Sequence, residues 1–394
     1  MKSCFDEAIN REGTNSVKWD LRREIFGSDD LIPMWVADMD FRTPPFITNA
    51  IRKRAEHEVF GYTYRDETYF ASIVSWLQRR QQWRVKPEWI LFCPGVVPAL
   101  NIATIAFTNP GDEIIVQPPV YPPFFSAVTA NGRKLVSNQL MRRRSRYLID
   151  FEALRSCITP RTRMLILSHP HNPVGRVWNM CELRQLTEIC ARNNIIILSD
   201  EIHSDLVLPG SQHIPVATIS DEAAAITVTC IAPSKTFNIA GLSTSSVIIS
   251  DETLRKKFSD MVERIHIGNG NIFGNEASVA AYTHGDEWLD ELLEYIAGNI
   301  EFTVNYLIDR VPVIKPVTPE ATYMIWLDCT EMGMSGHELA HFFTYEARVG
   351  LNEGSTFGEG GEGFMRMNVA CSRSLVEEAL GRIEKAVKKV RGEG

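Results

Sequence analysis

No stretch of the chain approaches the roughly 18 consecutive apolar residues needed to cross a bilayer. The opening MKSCFDEAIN mixes charges among its apolar residues, where an export leader would place an uninterrupted apolar core. Neither a membrane span nor secretion is therefore expected. Excess positive charge is missing as well: 41 Lys and Arg against 49 Asp and Glu leave a formal net charge of −8, which argues against a nucleic-acid or anionic-membrane partner. CxxC pairs are absent. The eight cysteines (Cys4, Cys93, Cys157, Cys181, Cys190, Cys230, Cys329, Cys371) are scattered, several inside apolar runs, and read as reduced core thiols of a cytoplasmic protein. Internal repeats and low-complexity tracts are lacking too. The one basic run, Arg142-Arg143-Arg144-Ser145-Arg146, reads as a solvated loop or hairpin.

What is present fits a large enzyme. At 394 residues the chain exceeds the roughly 250–300 residues at which one core stops growing, so a large domain and a smaller one are expected. Short β-branched runs at 114–117, 164–168, 195–199, 226–231 and 246–250 read as buried strands, with amphipathic helices such as 181–194 between them. Continuous apolar strands separated by helices predict an α/β fold whose mostly parallel sheet is covered on both faces. Near-helical spacing over 287–310 predicts a long helix leading out of that sheet. Beyond it, 323–328 and 364–369 read as strands with one wet face, followed by a helix from about 374, a smaller α+β domain. The expected division is a large domain over 46–286, and a small domain of 287–394 together with 1–45, the N-terminal segment packing on it.

Lys235, in APSKTFNIAGLS, is the only charged side chain between Glu222 and Asp251. Burying an unpaired ammonium is unfavourable and pushes a lysine toward its neutral, nucleophilic form. Ligands of parallel sheets bind at the carboxyl ends of the strands, so the residues just after each run are the ones to weigh. Those ends deliver Tyr121 (QPPVYPP), Asn172 (SHPHNPVG), Asp200 and His203 (SDEIHSD), and Ser234 with Lys235 (APSK). Each has a plainer reading: rim packing for Tyr121, a turn at Asn172-Pro173, a helix cap at Asp200, a surface lysine at 235. Their convergence on one edge favours a site. Gly95, before the apolar helix of GVVPALNIATIAF, marks a helix start suited to a phosphate. In FMRMNVA, alternation puts Arg366 opposite the aliphatic Met365, Met367 and Val369, where a guanidinium could grip a carboxylate through two parallel hydrogen bonds.

An anion at a helix start, an aromatic face, a buried acid and an amine together describe a pyridoxal phosphate site. SDEIH, HNPVG, the GVVPAL turn and SKTFNIAGL, with MWVADMDF at 34–41 and FGYTY at 60–64, resemble the fold-type I enzymes of the aminotransferase class I/II superfamily, nearly end to end. Within it they look like the cystathionine β-lyase and cystalysin branch. The resemblance implies an aspartate aminotransferase-like fold and pyridoxal 5′-phosphate joined to Lys235, which also moves the Cα proton. It implies Asp200 on the pyridine nitrogen, Asn172 on the ring oxygen, His203 close by and Tyr121 stacked on the ring. Backbone groups of Gly95, Val96 and Val97, with Ser234, would hold the phosphate, joined by Tyr62 of a second subunit in a homodimer. The amino-acid substrate would meet Arg366, Tyr121 and Trp35. Broader relatives carry a phosphate-binding arginine eight residues after the lysine, where this chain has Ser243.

The implied activity is α,β-elimination from L-cystathionine or a related L-cysteine S-conjugate, with aminotransferase as the alternative on the same residues. Three other patterns point elsewhere. His337-Glu338-Leu339-Ala340-His341 fits the HExxH zinc-hydrolase pattern, but no third ligand is set by spacing, and an amphipathic surface helix is the expectation. GEGGEG at 358–363 fits GxGxxG, yet it leads into a strand and carries two glutamates that would repel a pyrophosphate, so a loop is expected. His169 and His171 lie in a proline-rich turn and are not expected to bind metal.

Overall fold

The computed structural model describes residues 5–392 of the chain. The apolar runs assemble into a seven-stranded sheet in the order Ile90–Cys93, Ser245–Ile248, Thr227–Ile231, Ile196–Asp200, Thr162–Ser168, Glu113–Val116, Lys134–Ser137. From Thr227–Ile231 to Lys134–Ser137 all neighbours are parallel, as buried apolar runs alternating with helices predict. Ser245–Ile248 differs from the rest, running antiparallel to both its neighbours. Its connection explains why: 232–244 folds into two short turns, Pro233–Thr236 and Ala240–Leu242, in place of the longer helix a parallel crossover uses. Alternation then splits the sheet's side chains. Ile114, Val116, Met164, Ile166 and Leu198 share one core with the Val96–Phe107 helix, while Ile115, Leu165, Leu167 and Ile197 meet the Met180–Arg192 helix on the other face.

The 25-residue helix Asp286–Arg310 leads to a four-stranded antiparallel sheet in the order Lys315–Val317, Met324–Asp328, Phe364–Asn368, Asn352–Glu353. The expected wet face is not there: every residue of Met324–Asp328 and Phe364–Asn368 is buried. Ile325, Met365 and Met367 pack with Leu380 and Ile383 of the Arg373–Arg391 helix. On the opposite face Trp326 and Phe364 stack at 5.2 Å and join Leu165 and Trp178 of the large sheet's core. That second face is covered by protein instead of water, which is why Arg366 is enclosed and not solvated.

The N-terminal segment runs against the small sheet. Ile32–Pro33 pairs in parallel with Val349–Gly350, and Asn368 donates to the carbonyls of Val36 and Asp38, both at 2.6 Å. The basic run is a hairpin of Met141–Arg143 and Arg146–Leu148 turning at Arg144 (φ 56°). It is docked, not merely solvated: Arg142 pairs with Asp328 at 2.6 Å and lies over the ring of Phe364. Cys93, Cys190, Cys230, Cys329 and Cys371 are buried free thiols, Cys157 is half-buried, Cys181 is exposed, and Cys4 lies outside the described residues. Among the described residues no helix is long and apolar enough to cross a membrane.

Candidate active site

A cavity of about 200 Å³ opens at the carboxyl end of the large sheet and gathers Gly95, Val96, Val97, Tyr121, Asn172, Asp200, His203, Ser234 and Lys235 on its walls. The fold explains the gathering. Asp200 is the last residue of its strand and stands beside Ser168, the last of the next one, with Asn172 four residues further on. The Val96–Phe107 helix starts at Gly95, and no side chain caps it, so its first amide groups are free to hold an anion. Gly95 is extended (φ 173°), so its value there is spatial: a Cβ would lie 3.3 Å from the Pro98 ring.

Charge in the cavity is unbalanced in a way that asks for a ligand. Lys235 lines the cavity and donates from Nζ to the Ala37 carbonyl at 2.6 Å. Burial, with Arg366 nearby, brings its pKa down to about 8, against the pull of Asp38 and Asp200. Burial raises Asp200 to about 7, and its carboxylate accepts a hydrogen bond from the Ile202 amide at 3.1 Å. Burial, then Lys235 and Arg366, depress His203 to about 3, so it is neutral, and its Nδ1 has no partner. Among the described residues that line the cavity Lys235 is the sole lysine or arginine, and Ser243, eight residues after it, lies on the wall beside Thr244.

Arg366 is 5% exposed, with its guanidinium held by neutral oxygens: Asn172 Oδ1 at 3.0 Å, the Trp35 carbonyl at 2.9 Å and Asn352 Oδ1 at 2.6 Å. Its Nε has no partner, and among the described residues no carboxylate lies within ion-pair distance. Burial lowers its pKa to about 10, still charged at neutral pH. Trp35 differs from the expectation. Its indole donates to the Lys18 carbonyl and meets Phe26, so the side chain is not on the cavity wall and the residue contributes its carbonyl to Arg366. Tyr62 is fully exposed and does not line this chain's own cavity. Sequence reasoning missed Ala37, Thr244 and Asn352. Ala37 acts through a backbone oxygen that no side-chain pattern signals, and Asn352 sits in a two-residue strand, Asn352–Glu353.

The competing motifs have structural explanations. Glu338 closes a capping box at the start of Gly336–His341, accepting from the Ser335 amide at 2.8 Å. Residues 358–363 form the turn before the Phe364–Asn368 strand, and Glu359 accepts from Ser137. His169 and His171 are buried and bond the carbonyls of Ile214 and Pro119.

A model of the family described as aminotransferase class I and II matches residues 29–383. The chain belongs to that family. Cystathionine beta-lyase PatB of Bacillus subtilis (strain 168) is 47% identical over 384 residues, 97% of this chain and 99% of that protein. Cystalysin from Treponema denticola, solved with a pyridoxal 5′-phosphate cofactor, matches with a TM-score of 0.97 at 35% identity, covering 99% of this chain and 100% of that one. A cofactor-bound protein from Clostridium difficile 630, described provisionally as an aminotransferase, matches with a TM-score of 0.96 at 43% identity over 98% and 100% of the two chains. The fold is that of the fold-type I pyridoxal phosphate enzymes, and the cofactor is pyridoxal phosphate. The residues here fit it: an uncapped helix start for the phosphate, an aromatic ring at Tyr121, an amine at Lys235, and in Asp200 a buried carboxylate with no cation within ion-pair distance among the described residues.

Proposed function

We propose that the chain is a pyridoxal phosphate-dependent carbon–sulfur β-lyase that takes L-cystathionine, or a related L-cysteine S-conjugate, to a thiol, pyruvate and ammonia. The observation that carries this reading is the arrangement of Lys235 and Arg366. One is an amine on the cavity wall; the other, reached through Asn172, is a buried guanidinium with neutral partners. An amino acid supplies the carboxylate that Arg366 lacks and the Cα proton within reach of Lys235. The identity to a cystathionine β-lyase supports elimination as the chemistry.

Pyridoxal phosphate, when bound, supplies an electron sink conjugated to the substrate's Cα. Arg366 fixes the α-carboxylate in a planar, two-bond grip and so decides which Cα bond is presented. Lys235, whose pKa burial brings down to about 8, takes the Cα proton. As the Cβ–S bond breaks, the thiolate leaves with the bonding pair, and water completes the release of pyruvate and ammonia. Asp200 would supply a counter-charge for the ring nitrogen, and among the described residues no cation lies within ion-pair distance of it. Arg366 donates to Asn172 Oδ1, so the side-chain amide nitrogen of Asn172 would be the group that donates to the ring oxygen. Ser234, Ser243, Thr244 and the helix start at Gly95 would hold the phosphate with neutral donors.

Further parts of this reading concern assembly. Val59, Phe60, Tyr62 and Tyr64 are exposed, an apolar run that a second copy would cover, placing Tyr62 at that copy's phosphate in a homodimer. A cytoplasmic location and a division into 46–286 and 1–45 with 287–394 complete it. The test is incubation with L-cystathionine and no keto acid. Pyruvate formed over many turnovers, and abolished by Lys235→Ala, is expected. The neighbour described as an aminotransferase favours a second reading, for which product would stop at one equivalent per site.

A further inference from the structure

Tyr323 has no part in the roles assigned so far, yet it touches the site. It is fully buried, its ring stands edge-on to His203 at 6.4 Å, and its hydroxyl donates to the Ala37 carbonyl at 3.0 Å. That oxygen is the one Lys235 Nζ donates to at 2.6 Å. The residue before it, Thr322, has φ 73°, a left-handed conformation that a β-branched residue seldom adopts. The strain is held in place: the Thr322 amide donates to the Leu206 carbonyl at 2.7 Å, and its Oγ1 accepts from the Met324 amide at 3.1 Å. Strain of this kind persists where the surroundings over-determine it, and it concentrates near functional sites.

We propose that Tyr323 is a positioning residue for Lys235, acting through the Ala37 carbonyl. A carbonyl oxygen has two lone pairs. With the phenol on one of them, the oxygen is oriented and is a weaker acceptor for the other donor, so it holds the lysine as an ammonium less firmly. Burial, with Asp38, pushes the phenol's pKa up, which keeps it a donor at every working pH. The remaining groups acting on Lys235 are Asp38 and Asp200, which favour its charged form, and Arg366, which opposes it, with His203 and Tyr121 neutral beside it.

The inference rests on Lys235 as the proton-carrying amine and is tested apart from turnover. In the full-length protein stripped of cofactor, the rate of Lys235 acetylation by acetic anhydride is followed against pH by mass spectrometry. Tyr323→Phe is expected to move the midpoint upward by about half to one unit, a three- to tenfold smaller neutral fraction at pH 7. The acidic limb of kcat/KM in the loaded enzyme is expected to move with it. Thr322→Gly, which keeps the phenol but frees its aim, is expected to move the midpoint the same way by less, and it decides the matter if the phenylalanine variant does not fold. An unchanged midpoint, or an activity loss uniform across pH, overturns the proposal. Turnover that survives Lys235→Ala would instead overturn the reading of Lys235 itself.

Discussion

Two groups of enclosed cations meet at the segment 37–40 and are treated in opposite ways. On one side Lys18, 1% exposed, and Arg11 pair with Asp40 at 2.7 Å each, Arg11 pairs with Asp38 at 2.7 Å, and the Trp19 indole donates to Asp40. Every charge there is answered by protein. On the other side Lys235 and Arg366 have neutral oxygens for partners, and Asp200 has no cation within ion-pair distance among the described residues. A closed network spends its electrostatics on holding the N-terminal strap in place. An open one leaves desolvated charge for a ligand to satisfy, which is where binding and catalysis draw their energy.

Breaking the closed side should have the largest effect on stability. Asp40→Ala leaves the buried Lys18 without its main counter-charge and removes one of the two carboxylates that Arg11 pairs with, and it is expected to lower unfolding free energy by about 3–5 kcal/mol in urea titration. Burial alone would raise Asp40's pKa, but Lys18 leads the interactions that hold it below the ordinary carboxylate value. A depressed folded pKa means its contribution is present above the unfolded pKa and is lost as pH falls through the folded one. The variant should therefore converge on the parent only in strong acid.

Asp200→Asn probes the open side with the opposite sign. Burial raises this carboxyl to about 7, so its favourable, protonated state is present below the unfolded pKa near 4 and is lost as pH rises through about 7. Without cofactor, the variant should gain stability above pH 7, by at most about 4 kcal/mol from roughly three units at about 1.4 kcal/mol each. With cofactor the order should reverse, because the ring nitrogen loses its counter-charge. Thermal midpoints of both forms at pH 5 and pH 8 check it, and equal pH dependence in the two proteins would contradict it.

Arg366→Leu separates function from stability at one position. Losing a charge-assisted carboxylate grip of about 1.5–3 kcal/mol predicts a fall in kcat/KM of about 10- to 150-fold. The unfolding free energy should change far less than for Asp40→Ala, since no buried carboxylate is left unpaired.

Much of this was legible in the chain because strand ends are legible. An apolar run followed at once by SDEIH or SHPHN announces both a buried strand and the residue at its rim, and the cavity gathers Asn172, Asp200 and Lys235 accordingly. What escaped depends on contacts distant in sequence. Ser245–Ile248 looks like any other apolar run, and its reversed direction comes from the short turns before it. Strand Phe364–Asn368 has true alternation, but whether its second face meets water or the large sheet's core depends on Trp326 and Leu165. Trp35 lay in a telling motif, yet its carbonyl and not its ring serves the site.

The smallest expected effect concerns the HExxH pattern, a third way of treating charge: exposed, paired and local. Glu338 is bound to the amide and hydroxyl of Ser335, both at 2.8 Å, and those bonds hold its pKa below the ordinary value. Glutamine at the same position can close the same capping box, since its side-chain oxygen accepts from the same amide. Glu338→Gln is therefore expected to leave both the thermal midpoint and pyruvate formation unchanged. A zinc hydrolase would respond differently, because glutamine cannot take a proton from metal-bound water and activity would vanish. Pyruvate formation that persists in this variant, with chelator present, assigns the carboxylate to the helix start; its loss would reopen the metal reading of His337 and His341.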